Sequence, residues 1–250
     1  MSTGEFVWHD LVTADPHAAT AFYGEVIGWK TEPFAASAEP YQLWLGSQGP
    51  LGGVMKLDER SGDAPPHWLG HVEVDDLDAI VQTARAEGGR VQVPPTPIPS
   101  VGRFGIIADP QGATVSVFQP DRSEAQHDRM KPGEFRWAEL HTSDPKAALA
   151  FYGALFGWTV VQELEMGPAG SYWIFGQDDR QLGGVMTKQA DMPMPTAWIF
   201  YVGVDDLDAA IERATGRGGR ILHGPVPLHD GTRIAQLADP QGAVFALHSV

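Results

Sequence analysis

The sequence contains no cysteine and few basic residues. The absence of cysteine excludes disulfides, thiolate nucleophiles and cysteine zinc sites. Seventeen lysines and arginines stand against 32 acidic residues, for a formal net charge of −15. Nucleic acids and anionic membrane surfaces attract proteins of the opposite charge. We therefore expect neither as a partner, whereas a cationic small molecule would be favoured weakly at long range.

Long apolar runs and common catalytic motifs are also missing. No segment approaches the ~20 apolar residues of a membrane-spanning helix. The first residues, Met1 to His9, show neither the basic stretch nor the apolar run of a signal peptide. No phosphate-binding loop, dinucleotide fingerprint, nucleophile-elbow serine or paired-histidine zinc motif occurs. The sequence thus predicts a cytoplasmic protein outside most enzyme classes that have a signature motif.

What the sequence does contain is an internal repeat. Corresponding segments occur in the same order in both halves, among them Asp15-Pro16 with Asp144-Pro145, Phe22-Tyr23-Gly24 with Phe151-Tyr152-Gly153, Leu51-Gly52-Gly53-Val54-Met55 with Leu182-Gly183-Gly184-Val185-Met186, and Asp109-Pro110-Gln111-Gly112 with Asp239-Pro240-Gln241-Gly242. The eight tryptophans also pair, Trp44 being matched with Trp173. We predict domains over 4–120 and 134–250, joined by a polar linker over 121–133.

Each repeat predicts an α+β domain. Asp15 is suited to cap a helix that begins at Pro16, carries apolar residues at helical spacing and closes near Gly28. A second helix is predicted over 77–86. Strands are expected over 5–13, 41–45, 53–57, 69–74, 103–108 and 114–118. The order is therefore one strand, one helix and further strands, twice in each repeat.

This order, with its motifs, resembles the vicinal-oxygen-chelate superfamily, which includes glyoxalases, bleomycin resistance proteins and dioxygenases. The motifs are Asp-Pro followed by Phe-Tyr-Gly and Gly-Trp, Val-Asp-Asp-Leu-Asp-Ala before the second helix, and Asp-Pro-Gln-Gly before the last strand. The resemblance implies two tandem glyoxalase-like domains. Each would consist of two βαβββ modules whose curved mixed sheet encloses a cleft. The tandem form is also similar to proteins called hydroxylase-like.

The resemblance further implies where a metal would bind. Its ligand positions fall on Trp8 and Trp137 in the first strands, on Leu69 and Ile199 in the fifth, and on Ser116 and Ala246 in the last. None of these side chains suits a divalent cation. We therefore expect no metal at the usual family positions and predict no cofactor. A divalent metal remains an alternative at Glu139, His141 and His248, which would form a two-histidine, one-carboxylate set.

Strand alternation places other polar groups on the face away from the helices. The candidate catalytic residues on this face are Asp10, Glu139, His71 and Tyr201. The candidate ligand-binding residues are Trp8, Trp44, Glu73, Ser116, Trp137 and Trp173. Inward carboxylates are typical of general bases. The alternative is that Asp10 and Glu139 only anchor an indole N–H, and that His71 and Tyr201 are satisfied polar residues.

Two functions follow. One is a metal-independent, glyoxalase-like enzyme with lyase, isomerase or hydroxylase chemistry on a small oxygenated substrate. The other is a non-catalytic protein that sequesters a small molecule, as bleomycin resistance proteins do. Both clefts, or only one, could function, and a monomer or a homodimer fits the tandem arrangement.

Overall fold

The computed structural model describes residues 3–35, 40–58, 64–122, 127–190, 192 and 194–250. The first repeat runs as β1 (Phe6–Thr13), α1 (Pro16–Val26), β2 (Lys30–Pro33), β3 (Tyr41–Gly46), β4 (Gly49–Lys56), β5 (His67–Glu73), α2 (Leu77–Ala86), β6 (Arg90–Ile98), β7 (Gly102–Ala108) and β8 (Thr114–Pro120). The second repeat runs as β9 (Phe135–Thr142), α3 (Pro145–Phe156), β10 (Thr159–Glu165), a 3₁₀ turn (Gly167–Ala169), β11 (Ser171–Gln177), β12 (Arg180–Thr187), β13 (Ala197–Val204), α4 (Leu207–Gly216), β14 (Arg220–Pro227), β15 (Arg233–Ala238) and β16 (Val244–Ser249).

Each repeat forms one mixed sheet of eight strands. The strand order is β2-β3-β4-β1-β5-β8-β7-β6 in the first repeat and β10-β11-β12-β9-β13-β16-β15-β14 in the second. β1 is parallel to β4 and β5 is parallel to β8, whereas the β3–β4 and β7–β8 hairpins are antiparallel. The predicted α+β class and tandem architecture are confirmed, and neither sheet closes on itself.

An aspartate caps the N-terminus of each helix, as predicted for α1. The side chains of Asp15, Asp76, Asp144 and Asp206 each accept a hydrogen bond from the backbone N–H three residues later, at 2.9–3.0 Å. Such caps satisfy N–H groups that have no partner within the helix. The helices α1 and α2 begin at the predicted residues. Within the described residues, no helix is long and apolar enough to cross a membrane.

The chain also divides into two compact units, each of which combines parts of both repeats. The first unit comprises Met1–Val7, Gly70–Gln126 and Trp137–Trp198, and the second comprises Trp8–Leu69, His127–Arg136 and Ile199–Val250. In the second unit, Tyr23 on α1 donates to Asp239 at 3.2 Å. In the first unit, Tyr152 on α3 donates to Asp109 at 3.2 Å. In each unit, therefore, the aspartate of one repeat's Asp-Pro-Gln-Gly turn accepts a hydrogen bond from a helix tyrosine of the other repeat.

Aromatic rings fill the core beneath the helices. In the second unit Trp29, Trp44 and Trp68 surround Tyr23, with ring centroids 5.2–6.0 Å from that phenol. Trp158 and Trp198 surround Tyr152 in the same way in the first unit. These rings are almost fully buried, and large aromatic side chains contribute strongly to core stability.

The matching of Trp44 with Trp173 is wrong. Trp44 lies opposite Gly52 on β4, whereas Trp173 lies opposite Val185 on β12. The residue opposite Gly183, which is the counterpart of Gly52, is Phe175. Trp44 therefore corresponds to Phe175, because the second repeat is longer ahead of β11.

Candidate functional site

A carboxylate, a phenol and an indole meet on the face of the first sheet opposite α1. Trp8 and Asp10 are two residues apart on β1 and so project from the same face. The Asp10 carboxylate accepts from the Tyr41 hydroxyl at 2.6 Å and from the Trp8 indole N–H at 3.0 Å, both at Oδ1. The indole N–H also lies 2.8 Å from the Tyr41 oxygen. Trp8 and Asp10 therefore lie on one face of β1, and the Asp10 carboxylate holds the indole N–H.

Tyr41 reaches Asp10 because a glycine lies between them. The strand order is β3, β4, β1, and Gly53 of β4 pairs with Asp10 of β1. A β-carbon at Gly53 would overlap the Tyr41 hydroxyl and ring. The phenol of Tyr41 on β3 therefore passes over Gly53 of β4 and reaches β1. This agrees with the prediction that glycine within a strand marks a close approach by another group.

The second repeat builds the same arrangement and adds an imidazole. Tyr172 crosses over Gly184 and donates to Glu139 Oε2 at 2.8 Å. The Trp137 indole donates to the Tyr172 oxygen at 2.9 Å. Glu139 Oε1 lies 2.6 Å from Nε2 of His141, the next residue on the same face of β9. Val12 occupies the position of His141 in the first repeat, so the first cluster has no imidazole at this position.

The carboxylate–imidazole pair is deeply buried. The side chains of His141 and Glu139 are 3% and 7% exposed. Among the described residues, Nδ1 of His141 has no hydrogen-bond partner. Buried polar atoms are normally satisfied, so an atom left in this state is a candidate for contact with a ligand.

The phenols of both clusters are held in their protonated form. Burial raises the pKa of Tyr172 well above its ordinary value, and the neighbouring Glu139 carboxylate raises it further. The pKa of Tyr41 is raised for the same two reasons, with Asp10 as the neighbour. Both hydroxyls therefore remain hydrogen-bond donors throughout the physiological pH range.

The other predicted catalytic residues, His71 and Tyr201, are both buried. His71 of β5 lies opposite Ser116 of β8 in the first unit, and both are buried. Ser116 donates to the Gly105 carbonyl at 3.3 Å. In the second unit the buried Tyr201 accepts from the Gln236 amide at 2.7 Å.

The predicted ligand-binding residues are only partly brought together. Trp8 and Trp137 join the two clusters, and both are half-buried. Trp44 instead packs against Tyr23 in the core. Trp173 is half-buried and follows Tyr172 on β11, so the two side chains project from opposite faces of the sheet. The backbone of Glu73 is hydrogen-bonded to Gly4 and Glu5.

The residues at the metal-ligand positions implied by the resemblance do not fit a divalent cation. The indoles of Trp8 and Trp137 donate through N–H and offer no lone pair. Leu69, Ile199 and Ala246 are apolar. In the alternative set Glu139 and His141 meet, but Nε2 of His248 lies 2.9 Å from the Thr232 hydroxyl. Within the described residues, no group of three histidines, cysteines, aspartates or glutamates is placed to hold a metal.

Tyr41 and Tyr172 are site residues that the sequence reasoning missed. They are 131 residues apart, as are Leu51 and Leu182 in the following glycine motif. Trp44 and Trp173 are only 129 apart, so the tryptophan match hid the tyrosine match. Alignment from the Leu-Gly-Gly-Val-Met motif backwards would have paired the two tyrosines.

Comparison with known proteins agrees with this architecture. Residues 5–117 and 135–247 each match the model of the Glyoxalase/Bleomycin resistance protein/Dioxygenase superfamily. The chain belongs to this superfamily. The chain is 33% identical to CFP32 of Mycobacterium tuberculosis, a protein whose name includes the word glyoxylase, over 96% of this chain and 92% of that protein. It is 27% identical to the anthracycline biosynthesis protein DnrV of Streptomyces peucetius, over 98% of this chain and 92% of the relative.

Solved structures share the fold. The Mn(II)-bound glyoxalase from Novosphingobium aromaticivorans superposes with a TM-score of 0.69 at 16% identity, covering 99% of this chain and 82% of the other. The 2,2',3-trihydroxybiphenyl 1,2-dioxygenase from Sphingomonas wittichii gives a TM-score of 0.71 at 12% identity, covering 100% and 91%. At such identities the likeness concerns the fold alone.

Proposed function

We propose that this superfamily member is a metal-independent enzyme that moves a proton on a small carbonyl compound, in an isomerase or lyase reaction at Glu139 and His141. The observation that carries the proposal is the buried 2.6 Å pair of carboxylate and imidazole. A carboxylate that holds an imidazole is a recurrent arrangement for general base catalysis. Metal independence is supported by the side chains at the family's ligand positions, which are indoles, aliphatic groups and, at Ser116, a hydroxyl that donates to the Gly105 carbonyl.

The reaction needs no further reactant. The substrate C–H bond next to the carbonyl breaks, its proton passes to the carboxylate–imidazole pair, and the electron pair moves onto the carbonyl oxygen as an enolate. In an α-hydroxy carbonyl substrate, the hydroxyl proton moves to the enolate oxygen and the abstracted proton returns to the former carbonyl carbon, which completes an isomerisation. In a substrate with a leaving group on the β-carbon, the enolate reforms the carbonyl and expels that group, which completes a lyase reaction. Isomerase and lyase reactions of this kind need an acid–base group, and Glu139 and His141 can supply it.

A direct test is hydrogen exchange with solvent. We would incubate chelator-treated protein in D₂O with hydroxyacetone, acetoin or phenylacetaldehyde and follow deuterium incorporation at the carbon next to the carbonyl by NMR. The expected result is catalysed exchange that falls by about 100-fold or more in Glu139→Gln and His141→Gln. His17→Gln, which removes an exposed imidazole from α1, is the matched control and should retain the exchange.

Three results would overturn the proposal. No catalysed exchange of any of the three compounds would exclude the reaction. Exchange that disappears with the chelator would exclude metal independence. Exchange lost in Asp10→Asn and kept in Glu139→Gln would exclude the second repeat as its location.

The alternative function is binding without turnover, and the first repeat favours it. Asp10 accepts two donors at one oxygen and has Val12 where the second repeat has an imidazole. Such a carboxylate suits recognition of a ligand more than proton transfer. Titration of intrinsic tryptophan fluorescence with quinones and basic antibiotics would reveal this activity, and Asp10→Asn would then weaken binding. A cytoplasmic location and a monomeric or homodimeric state remain predictions from the sequence.

A further inference from the structure

The hydrogen bonds around Glu139 run in one direction. The Trp137 N–H donates to the Tyr172 oxygen at 2.9 Å, and the Tyr172 hydroxyl donates to Glu139 Oε2 at 2.8 Å. Because burial and the Glu139 carboxylate both raise the pKa of Tyr172, this phenol keeps its proton. Glu139 Oε1 also lies close to His141 Nε2, at 2.6 Å. A distance this short requires a proton between the two atoms.

Three protonation states of His141 can be compared. A proton on Nδ1 alone would point the Nε2 lone pair at the carboxylate and leave a buried N–H without a partner. The imidazolium would satisfy the Nε2 contact, but it would leave the same N–H unpaired. A proton on Nε2 alone donates to Glu139 and leaves only a lone pair at Nδ1. Buried unpaired N–H groups are rarer than under-satisfied acceptors, so the third state fits the surroundings best.

We propose that Nδ1 of His141 is the atom that accepts the substrate proton, and that Glu139 and Tyr172 are positioning residues. This inference rests on the proposed function, and it moves the role of base from the carboxylate to the imidazole. Both oxygens of Glu139 already accept hydrogen bonds, at 2.6 and 2.8 Å. When Nδ1 takes a proton, the hydrogen bond from Nε2 to the carboxylate is kept.

The first repeat provides an internal comparison. There Trp8 and Tyr41 both donate to Asp10, and Val12 stands where His141 stands in the second repeat. The tyrosine, the glycine beneath it and the carboxylate are common to both repeats, so they do not by themselves identify a base. The imidazole is the addition that distinguishes the second cluster. Since Nδ1 is enclosed in the structure, side chains on this face must shift when a ligand reaches it.

The test is the tautomer of His141 in the complete chain. In ¹⁵N-labelled protein near neutral pH, long-range ¹H–¹⁵N correlation distinguishes protonated from unprotonated imidazole nitrogens. The His141 signals are assigned by their loss in His141→Gln. We expect a protonated Nε2 and an unprotonated Nδ1. In Glu139→Gln this single tautomer should be lost, because an amide can either donate to or accept from Nε2.

Kinetics of hydroxyacetone exchange supply the second readout. Tyr172→Phe should lower kcat by several-fold and leave KM for hydroxyacetone nearly unchanged, since the phenol orients the carboxylate and does not touch substrate. Tyr41→Phe loses the equivalent hydrogen bond in the first repeat and controls for the effect on stability.

The outcomes separate the two proposals. A protonated Nδ1, or kcat unchanged in Tyr172→Phe, would overturn the assignment of roles and leave the exchange reaction standing. Absence of exchange in the wild-type chain would instead overturn the reaction, whatever the tautomer.

Discussion

The hydroxyl of Tyr41 lies above the α-carbon of Gly53, in the space that a β-carbon would occupy. This relationship lets a side chain on β3 reach the Asp10 carboxylate on β1 across an intervening strand. Gly184 and Tyr172 repeat it in the second sheet. The backbone conformation of Gly53 and Gly184 would allow other residues, but the neighbouring tyrosine ring leaves no room for a β-carbon.

Gly53→Ala should therefore destabilise the protein. The added methyl group meets the phenol, and overpacking of this kind costs about 1–3 kcal/mol. The free energy of unfolding from urea denaturation measures the effect, and the cost should shrink when Tyr41→Ala is also present.

Gly216→Ala is the control. Nothing lies within 4 Å of a β-carbon at this last residue of α4, so alanine should be neutral or stabilising by up to about 1 kcal/mol. Unchanged stability in Gly53→Ala would contradict the crossing.

Strand parity explains why part of the site was predictable. Trp8 with Asp10, and Glu139 with His141, are two residues apart on single strands, so their shared faces follow from sequence alone. The partnership of Tyr41 with Asp10 depends on the order of three strands and on the register between them. In the sequence, this strand register is reflected only in the spacing between corresponding residues of the two repeats. The incorrect match of the tryptophans gave the wrong spacing.

The fold, too, was only partly predictable from the sequence. Helix caps and apolar periodicity located α1 and α2 because both are local signals. The edge strands β2 and β6 were not predicted. β2 has the sequence Lys-Thr-Glu-Pro and is mostly exposed, so it lacks the alternation that identifies half-buried strands. β6 carries three prolines, which are tolerated at sheet edges but weaken the strand signal.

Four of the tyrosines predict a steep loss of stability at alkaline pH. Tyr23, Tyr41, Tyr152 and Tyr172 all donate to carboxylates. The pKa of each is raised, first by burial and then by the acidic partner. Their contribution is complete below the unfolded-state pKa of about 10. It is lost as the pH rises above that value, because the unfolded chain then releases protons that the folded chain retains. Four such groups give a slope of about 5 kcal/mol per pH unit.

Absorbance and circular dichroism together check this expectation. Tyrosinate absorbance should appear only as the circular dichroism of the folded protein disappears. The double variant Tyr23→Phe with Tyr152→Phe should show about half the slope, since two of the four groups are gone. Tyrosinate forming in a protein with an unchanged circular dichroism spectrum would refute the prediction.

Trp44→Phe should be tolerated although Trp44 is fully buried. Its indole nitrogen has no hydrogen-bond partner among the described residues, and Phe175 fills the corresponding position in the second repeat. Loss of an unsatisfied donor offsets part of the lost packing, so we expect a cost below about 1.5 kcal/mol. Trp29→Phe is the comparison. It removes a 2.8 Å hydrogen bond to the Gly133 carbonyl and should cost about 1–3 kcal/mol more. Equal losses in urea denaturation would argue against this account.

His248 predicts a loss of stability toward mildly acidic pH. Burial lowers its pKa, the Arg136 guanidinium lowers it further, and Asp230 partly opposes them. As the pH falls below about 6.5, the unfolded chain gains a proton at this residue that the folded chain does not accept. Stability therefore decreases with falling pH until the folded pKa is passed. The corresponding residue of the first repeat is Phe118, so His248→Phe should remove this dependence.

Urea denaturation of the wild type and of His248→Phe between about pH 7.5 and pH 5 measures this dependence of stability on pH. Arg136→Gln should reduce the acid-dependent loss and His17→Gln should leave it in place. A His248→Phe protein that loses as much stability as the wild type over this range would show that another group is responsible.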